Sequence, residues 1–531
     1  MLKNRSFALL VVFLSGFWLC SMNIGGVSIY VLDEAKNATC AREMLEQEEW
    51  IIPTFNYELR GDKPPLHYYF MMLSYSVFGV NEWAARFFSA IMGALTILIT
   101  FMFTDKYLGR SAAWLSTGVL CASIHFTLQF HLAVPDPYLI FFLTLAIFGF
   151  FDFIHSRNYT VLYLMYISVA MGVLSKGPVA VALPGLVMLL YLLFSKRLTW
   201  ENLRSFRILQ GVIIVLLISV PWYWMVHLQT NGAWTDEFFF RHNVGRFTST
   251  MEGHGGIFLL TPLYVLVGML PFSVFFIQSM KKAWRDCKDY EILLIAFLQV
   301  VSFTFFFSIS STKLPNYTVP VYPFLSVMVG YYLSGKLKET TLSKADKWSL
   351  GVYVFLSIAL PIGGYLGMAQ DRLLSGLKAY AWLWLVIPAG AFLAGHMAFR
   401  NKFYSQGIMA IIASWILAAM AFYYIIFPKM DQQNPVFKNI DLFEPETQVA
   451  QYQFINRSFN FYIRKQVIRL ETPAEVEVYW REHPGAYIIT RAKYLEELSQ
   501  IPGIVEKASD PDLFEKYTTV ILALDKSANF R

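Results

Sequence analysis

FALLVVFLSGFWLCSMN, residues 7–23, followed shortly by DEAKNATCAREML, residues 33–45, decides how the rest of the chain is read. The first run carries no charge and is long enough to cross a hydrocarbon core of roughly 30 Å. No small-x-small cleavage pattern follows it cleanly, so it reads as a first transmembrane anchor rather than a secretory leader. Comparable apolar stretches recur near residues 86–104, 111–130, 138–154, 159–175, 178–194, 208–227, 257–279, 291–310, 318–334, 348–368, 379–397 and 405–427. With the first, they predict an all-α polytopic membrane protein of about thirteen transmembrane helices.

Composition agrees. Of 531 residues 56% are hydrophobic and 15% charged, against roughly 25% charged in an ordinary soluble domain. An aromatic content of 17% suits a chain with many interfacial tyrosines and tryptophans. The net charge of +6 sits in short clusters between apolar runs, not along one polar face, which argues against nucleic acid as a partner. Cys20, Cys40, Cys121 and Cys287 are too scattered for a disulfide framework or a CxxC metal site.

Lysine and arginine gather in every other connection: Lys106 and Arg110, Arg157, Lys196 to Arg207, Lys281 to Arg285, Lys336 and Lys338, Arg400 and Lys402. By the positive-inside rule these loops are cytoplasmic. The connection 25–86 then faces outward, with a helix expected from an Asp33 N-cap to about Gln47, lying along the membrane surface. Residues 1–430 form the membrane domain. Residues 431–531 are expected to form an outer soluble α/β domain, with a capping box at Thr472, Pro473 and Glu475 and buried strands at 487–490 and 518–524.

Ionisable residues beside membrane helices are functional candidates, and the unusual ones collect on the outward side. They are Asp33 and Glu34; Asp62 and Lys63 before Pro64–Pro65; Asp136 in VPDPY; Lys176 in KGP; Arg241, His242, Asn243 and Arg246 in FFFRHNVGRF; and Lys313 to Tyr317, KLPNY. Singly, each has an ordinary role: an acid at a helix start, a lysine snorkelling at a helix end, an arginine on a lipid headgroup. Together, acids and cations on one face suit displacement at a sugar anomeric carbon with a lipid phosphate as leaving group. Cations neutralise the departing phosphate, and a carboxylate takes the proton of an acceptor hydroxyl. Asp33 is the first choice for that base, with Glu34 and Asp136 in support. Little charge lies inside the spans, which disfavours a transporter.

The set DEAKNATCAREML, DKPPLHYY, FGVNEWAARFFSA, VLSKGPVA and KLPNYTVPVYP resembles the bacterial aminoarabinose transferase family, allied to protein O-mannosyltransferases, over roughly residues 1–430. The resemblance implies an inverting membrane glycosyltransferase of the C-type fold. Its donor would be a sugar on polyprenyl phosphate, such as undecaprenyl phosphate-linked aminoarabinose or a hexose, and its acceptor lipid A or another envelope glycan. Its site would lie on the periplasmic face of the inner membrane. Asp33 and Asp136 take the catalytic aspartate places; Lys63, Lys36, Arg246, Lys313 and Tyr317 stand near the donor, joined by Arg241 and Lys176 from the reading of the loops. A metal linked to the family would retain only Asp62 and His242 here, because His242–Asn243 stands where relatives have Glu-His, and Lys36–Asn37 replaces their Arg-Tyr. The competing readings are a protein O-glycosyltransferase acting on serine or threonine, and a lipid or sugar transporter without bond chemistry.

Overall fold

The computed structural model describes residues 4–30, 32–249, 255–444, 446–513 and 515–525. It is a helical bundle with a small sheet at its C-terminal end. Each predicted apolar stretch coincides with a helix or helix pair. Among the described residues, eight helices are long and apolar enough to cross a membrane, or ten if each of two bent pairs is one span. Arg5–Cys20 and Val179–Phe194 are apolar but shorter.

Local chemistry sets the helix ends. Glu82–Leu108 starts at Asn81, whose side chain accepts from the Ala84 amide at 2.8 Å, and stops at Gly109 with φ +85°. Inside it Thr96, Thr100 and Thr104 each donate to the carbonyl four residues earlier at 2.7 Å, so no hydroxyl is stranded in an apolar layer. Two stretches expected as single spans are broken instead. Arg110–Ala122 meets Ile124–Phe130 at 72°, and Leu260–Gly268 meets Phe272–Asp286 at 114°. At the first break Ser123 caps the second segment, accepting from the Phe126 amide, and donates to the Gly268 carbonyl at 2.6 Å, which ties the two breaks together. At the second, Pro271 has no amide to offer a continuing helix.

The basic connections come together at one end of the bundle. There Lys106 and the Tyr107 hydroxyl bond Asp152, and Arg197 grips Glu291. At the other end lies the connection 25–86, made of the helix Leu32–Glu46, a hairpin of β1 (Thr54–Phe55) and β2 (Glu58–Leu59), and the helix Leu66–Phe78. The first helix begins at Leu32, two residues earlier than an N-cap at Asp33 would give, so Asp33 stands within its first turn and is not the N-cap.

Beyond residue 440 come β3 (Val449–Tyr452), β4 (Ile468–Leu470), β5 (Tyr487–Arg491), β6 (Ile504–Pro511) and β7 (Thr518–Leu524), ordered β4-β3-β5-β7-β6. β3 runs parallel to β4 and β5, while β7 is antiparallel to β5 and β6. The helix Pro473–Glu482 covers the sheet with buried Trp480, and its cap is built as expected: Thr472 accepts from the Glu475 amide while Glu475 accepts from the Glu471 amide. This sheet-bearing tail sits against the connection 25–86. Asn56 donates to the Val467 carbonyl at 2.9 Å and accepts from its amide at 2.8 Å, and Tyr462 donates to Glu82 while accepting from the Ile29 amide, both at 2.8 Å.

Candidate active site

Asp33 and Glu34 are neighbours in sequence and opposites in the structure. Glu34 is 1% exposed, and its two oxygens accept from Arg86 Nε at 2.7 Å and Nη2 at 2.8 Å; one also accepts the Ala133 amide at 2.8 Å. The rest of the Arg86 guanidinium is spent on the carbonyls of Ile24, Val27 and Ser28. Glu34, expected as a catalytic partner of Asp33, is thus closed to any substrate. It pins the first span, the connection 25–86 and the Ala133 turn to one another, because a buried carboxylate must be paired.

Asp33 faces the other way and keeps an exposed side chain. Protein crowds its remaining sides, which would raise its pKa; the charges of Lys63 and Lys36, helped by Arg60, outweigh this and hold the carboxyl below its usual range. Beside it Arg60, which the sequence reading passed over, grips Asp62 through Nε at 2.5 Å and Nη2 at 3.2 Å. Burial opposes ionisation of Asp62, but the charges of Arg60 and Lys63 and this pairing hold it firmly ionised. Arg60 Nη2 also donates to Asn37 Oδ1 at 2.9 Å, and His67 Nε2 lies 3.2 Å from that same oxygen. Asn37 is fully buried and serves as an internal strut for Arg60. Burial and the positive charges of Arg60 and Lys63 keep His67 neutral.

From here a cavity of about 510 Å³ opens into the bundle. Its head is polar, with Asp62, Lys63, Asp136, Lys176, Asn316 and Tyr317; its walls include Leu139, Leu143, Val179, Phe303, Phe306 and Phe307. Lys176 Nζ donates to Asp136 Oδ1 at 2.6 Å, and Asn316 donates to the same oxygen at 3.0 Å. The ammonium of Lys176 also lies 5.4 Å from the Tyr317 ring centroid. Asp136, expected among the catalytic acids, is thereby placed to aim Lys176 from the start of the helix Asp136–Ser156.

The fourth outer loop divides. His242 lines the cavity, its Nε2 at 3.5 Å from Glu237 Oε1, whereas Arg241 is exposed and pairs with the same oxygen at 3.6 Å outside it. Glu237 lies so close over Gly61 that any larger residue there would have to displace it. Arg246 begins the short helix Arg246–Thr248, but its side chain lies outside the described residues. Lys313, expected near the donor, is buried and donates to the Ser310 carbonyl at the end of Glu291–Ile309, without lining the cavity.

The residues present do not fit a metal. Asp62 is committed to Arg60 on both oxygens, and among the described residues no group of three or more His, Cys, Asp or Glu side chains is assembled to hold an ion.

The family profile for dolichyl-phosphate-mannose-protein mannosyltransferase matches residues 62–224, the stretch holding Asp62, Lys63, Asp136 and Lys176. An uncharacterized protein of Aquifex aeolicus is 30% identical over 357 residues, 67% of this chain and 77% of that protein. The undecaprenyl phosphate-alpha-4-amino-4-deoxy-L-arabinose arabinosyl transferase of Pseudomonas paraeruginosa is 25% identical over 427 residues, 79% of this chain and 75% of the relative. The crystal structure of ArnT from Cupriavidus metallidurans bound to undecaprenyl phosphate superposes with a TM-score of 0.79 over 98% of both chains, at 20% identity. The fold and the relatives agree, and the chain belongs to the aminoarabinose transferase-like family of membrane glycosyltransferases of the C-type fold.

Proposed function

We propose that the chain moves a sugar, aminoarabinose or a hexose, from a polyprenyl phosphate to lipid A or another envelope glycan, at the periplasmic face of the bacterial inner membrane. The observation that carries this is the cavity: two lysines at its polar head and an aromatic and aliphatic wall behind them. A lipid phosphate needs both halves, point charges for its oxygens and a channel for its isoprenoid tail. The relative from Pseudomonas and the solved undecaprenyl phosphate complex supply the donor class.

The acceptor oxygen attacks the anomeric carbon from the face opposite the phosphate. The bond from that carbon to the phosphate oxygen breaks, and the polyprenyl phosphate leaves with the electron pair, stabilised by Lys63 and Lys176. Asp33, ionised and exposed, takes the proton of a hydroxyl acceptor; an acceptor phosphate needs only positioning. Residues 1–430 carry this chemistry in this reading, and 431–531 form the periplasmic tail.

Mass spectrometry of lipids co-purifying with the protein tests the donor: a polyprenyl phosphate, free or glycosylated, is expected, and its absence across preparations counts against the reading. Comparing envelope lipids and proteins between wild-type and deletion strains tests the acceptor. Loss of sugar from glycoproteins with unchanged lipids would instead establish protein O-glycosylation.

A further inference from the structure

Arg60 is held more firmly than a loop cation needs to be. Its amide donates to the Pro53 carbonyl at 2.9 Å across the base of the hairpin, and its carbonyl accepts from Trp234 Nε1 at 2.9 Å, which ties the fourth outer loop to the connection 25–86. Gly61 then passes beneath Glu237, and Asp62 and Lys63 reach the cavity. The Arg60 side chain turns back on this segment. Nε and Nη2 grip Asp62, Nη2 also reaches Asn37, and the guanidinium carbon lies 5.7 Å from the Tyr68 ring centroid. Arg60 is buried, and its remaining nitrogen, Nη1, finds no hydrogen-bond partner among the described residues. A buried guanidinium with an unspent N–H is costly, and an ion pair that served only the fold could be replaced by apolar packing.

Charge gives the guanidinium its use. Among the described residues that line the cavity, the groups charged at neutral pH are two carboxylates, Asp62 and Asp136, and two ammoniums, Lys63 and Lys176. They cancel. At the rim Glu237 and Arg241 offset each other as well. Without Arg60 the polar head would meet a phosphate with no net charge; with it, one positive charge is left over. A sugar on a polyprenyl phosphate is a phosphodiester with one negative charge, so the two match, and in a site walled by apolar side chains an unmatched charge is costly. A divalent cation in the same head would leave three positive charges against that one, and it would have to share Asp62 with Arg60.

We propose that Arg60 sets the charge of the donor site: its guanidinium neutralises Asp62 from behind the cavity wall, so that Lys63 and Lys176 keep one positive charge in excess for a lipid phosphate and no divalent metal is needed to supply it. The inference rests on the glycosyltransferase reading above and deepens it by naming the fixed cation on which that site depends. Arg60 does not line the cavity. It acts through Asp62, as a positioning residue, and its carbonyl bond to Trp234 keeps the fourth outer loop in register with the segment that carries Lys63.

The test uses the full chain in nanodiscs, with undecaprenyl phosphate as the probe and elemental analysis for bound metal. Wild type is expected to carry substoichiometric metal and to bind the lipid equally with and without EDTA. Arg60→Gln removes the surplus charge and should weaken binding about tenfold. Asp62→Asn breaks the same pair but adds to the surplus, and should bind at least as tightly as wild type. The double variant has the wild-type charge and should recover most of the loss. A pair that serves only the fold would instead lose binding in both single variants with no recovery in the double one, and that result overturns the proposal. So does stoichiometric metal whose removal by EDTA abolishes binding. Wild type that binds no undecaprenyl phosphate, with or without added metal, overturns the donor reading itself. If Arg60→Gln melts well below wild type, Arg60→Lys carries the test: it keeps the charge without the fork and should bind within about twofold of wild type, and a loss as large as that of Arg60→Gln overturns the role of charge.

Discussion

The two ends of the helical bundle hold similar residues and use them differently. At the end where the basic loops meet, Glu291 accepts from Arg197 at 2.8 and 3.1 Å and from the Tyr191 hydroxyl at 2.5 Å, with His155 at 3.2 Å. Asp346 is likewise enclosed by the hydroxyls of Tyr332, Tyr404 and Ser343. Glu291, Asp152 and Asp346 there are stapled, and their charges serve to hold helix ends. At the opposite end Asp33 has no such partner among the described residues, and Lys63 and Lys176 border a cavity. Charge at a helix end is therefore not the mark of a site. Charge with room beside it is.

The sharpest way to break this contrast is to neutralise one acid at each end. Asp33→Asn should lower kcat/KM for sugar transfer by about 10²–10⁴-fold, the usual worth of a positioned general base, with only a small fall in the thermal midpoint from the lost carboxylate charge. Glu291→Ala should do the reverse, lowering stability by about 1–3 kcal/mol because Arg197 and Tyr191 lose a shared charged acceptor, while transfer stays within about twofold of wild type. A folded, fully active Asp33→Asn protein would remove the open acid from the chemistry.

Lys176→Ala sharpens the open end alone. It should weaken undecaprenyl phosphate binding about tenfold, and Asp136→Asn should produce a smaller loss, since Asp136 acts by aiming Lys176 across 2.6 Å. Equal donor affinity in wild type and Lys176→Ala would assign Lys176 to holding its helix end.

The helices were legible because apolar length has one physical meaning in a chain so poor in charge, and the loop lysines and arginines grouped as their alternation predicted. The two sharp bends were not, since the Ser123 break depends on a carbonyl at Gly268 that lies far along the chain. In the site, Asp33, Lys63, Asp136, Lys176 and Tyr317 were picked out by unusual polarity beside apolar runs. The same criterion also selected Glu34 and Lys313, whose partners, Arg86 and the Ser310 carbonyl, turn them into struts. It passed over Arg60 because it looks like one more loop cation. Arg60 gains its role by meeting Asn37 and Asp62.

The finest test concerns the pH dependence of the open acid. Burial pushes the Asp33 carboxyl up, and the charges of Lys63 and Lys36 pull it further down, so its folded value lies below the ordinary 3.8. Ionised Asp33 therefore adds stability that is present above the unfolded value and lost as pH falls through the folded one. Activity should follow the same limb, staying high through mildly acidic pH. Removing the leading charge with Lys63→Gln should move the acid limb of kcat, measured at saturating donor, toward higher pH, while Lys313→Gln should leave it in place because Lys313 is turned to the Ser310 carbonyl. Equal limbs in the two variants would mean that Lys63 does not act on Asp33, and the contrast between an open and a stapled end would then rest on the cavity alone.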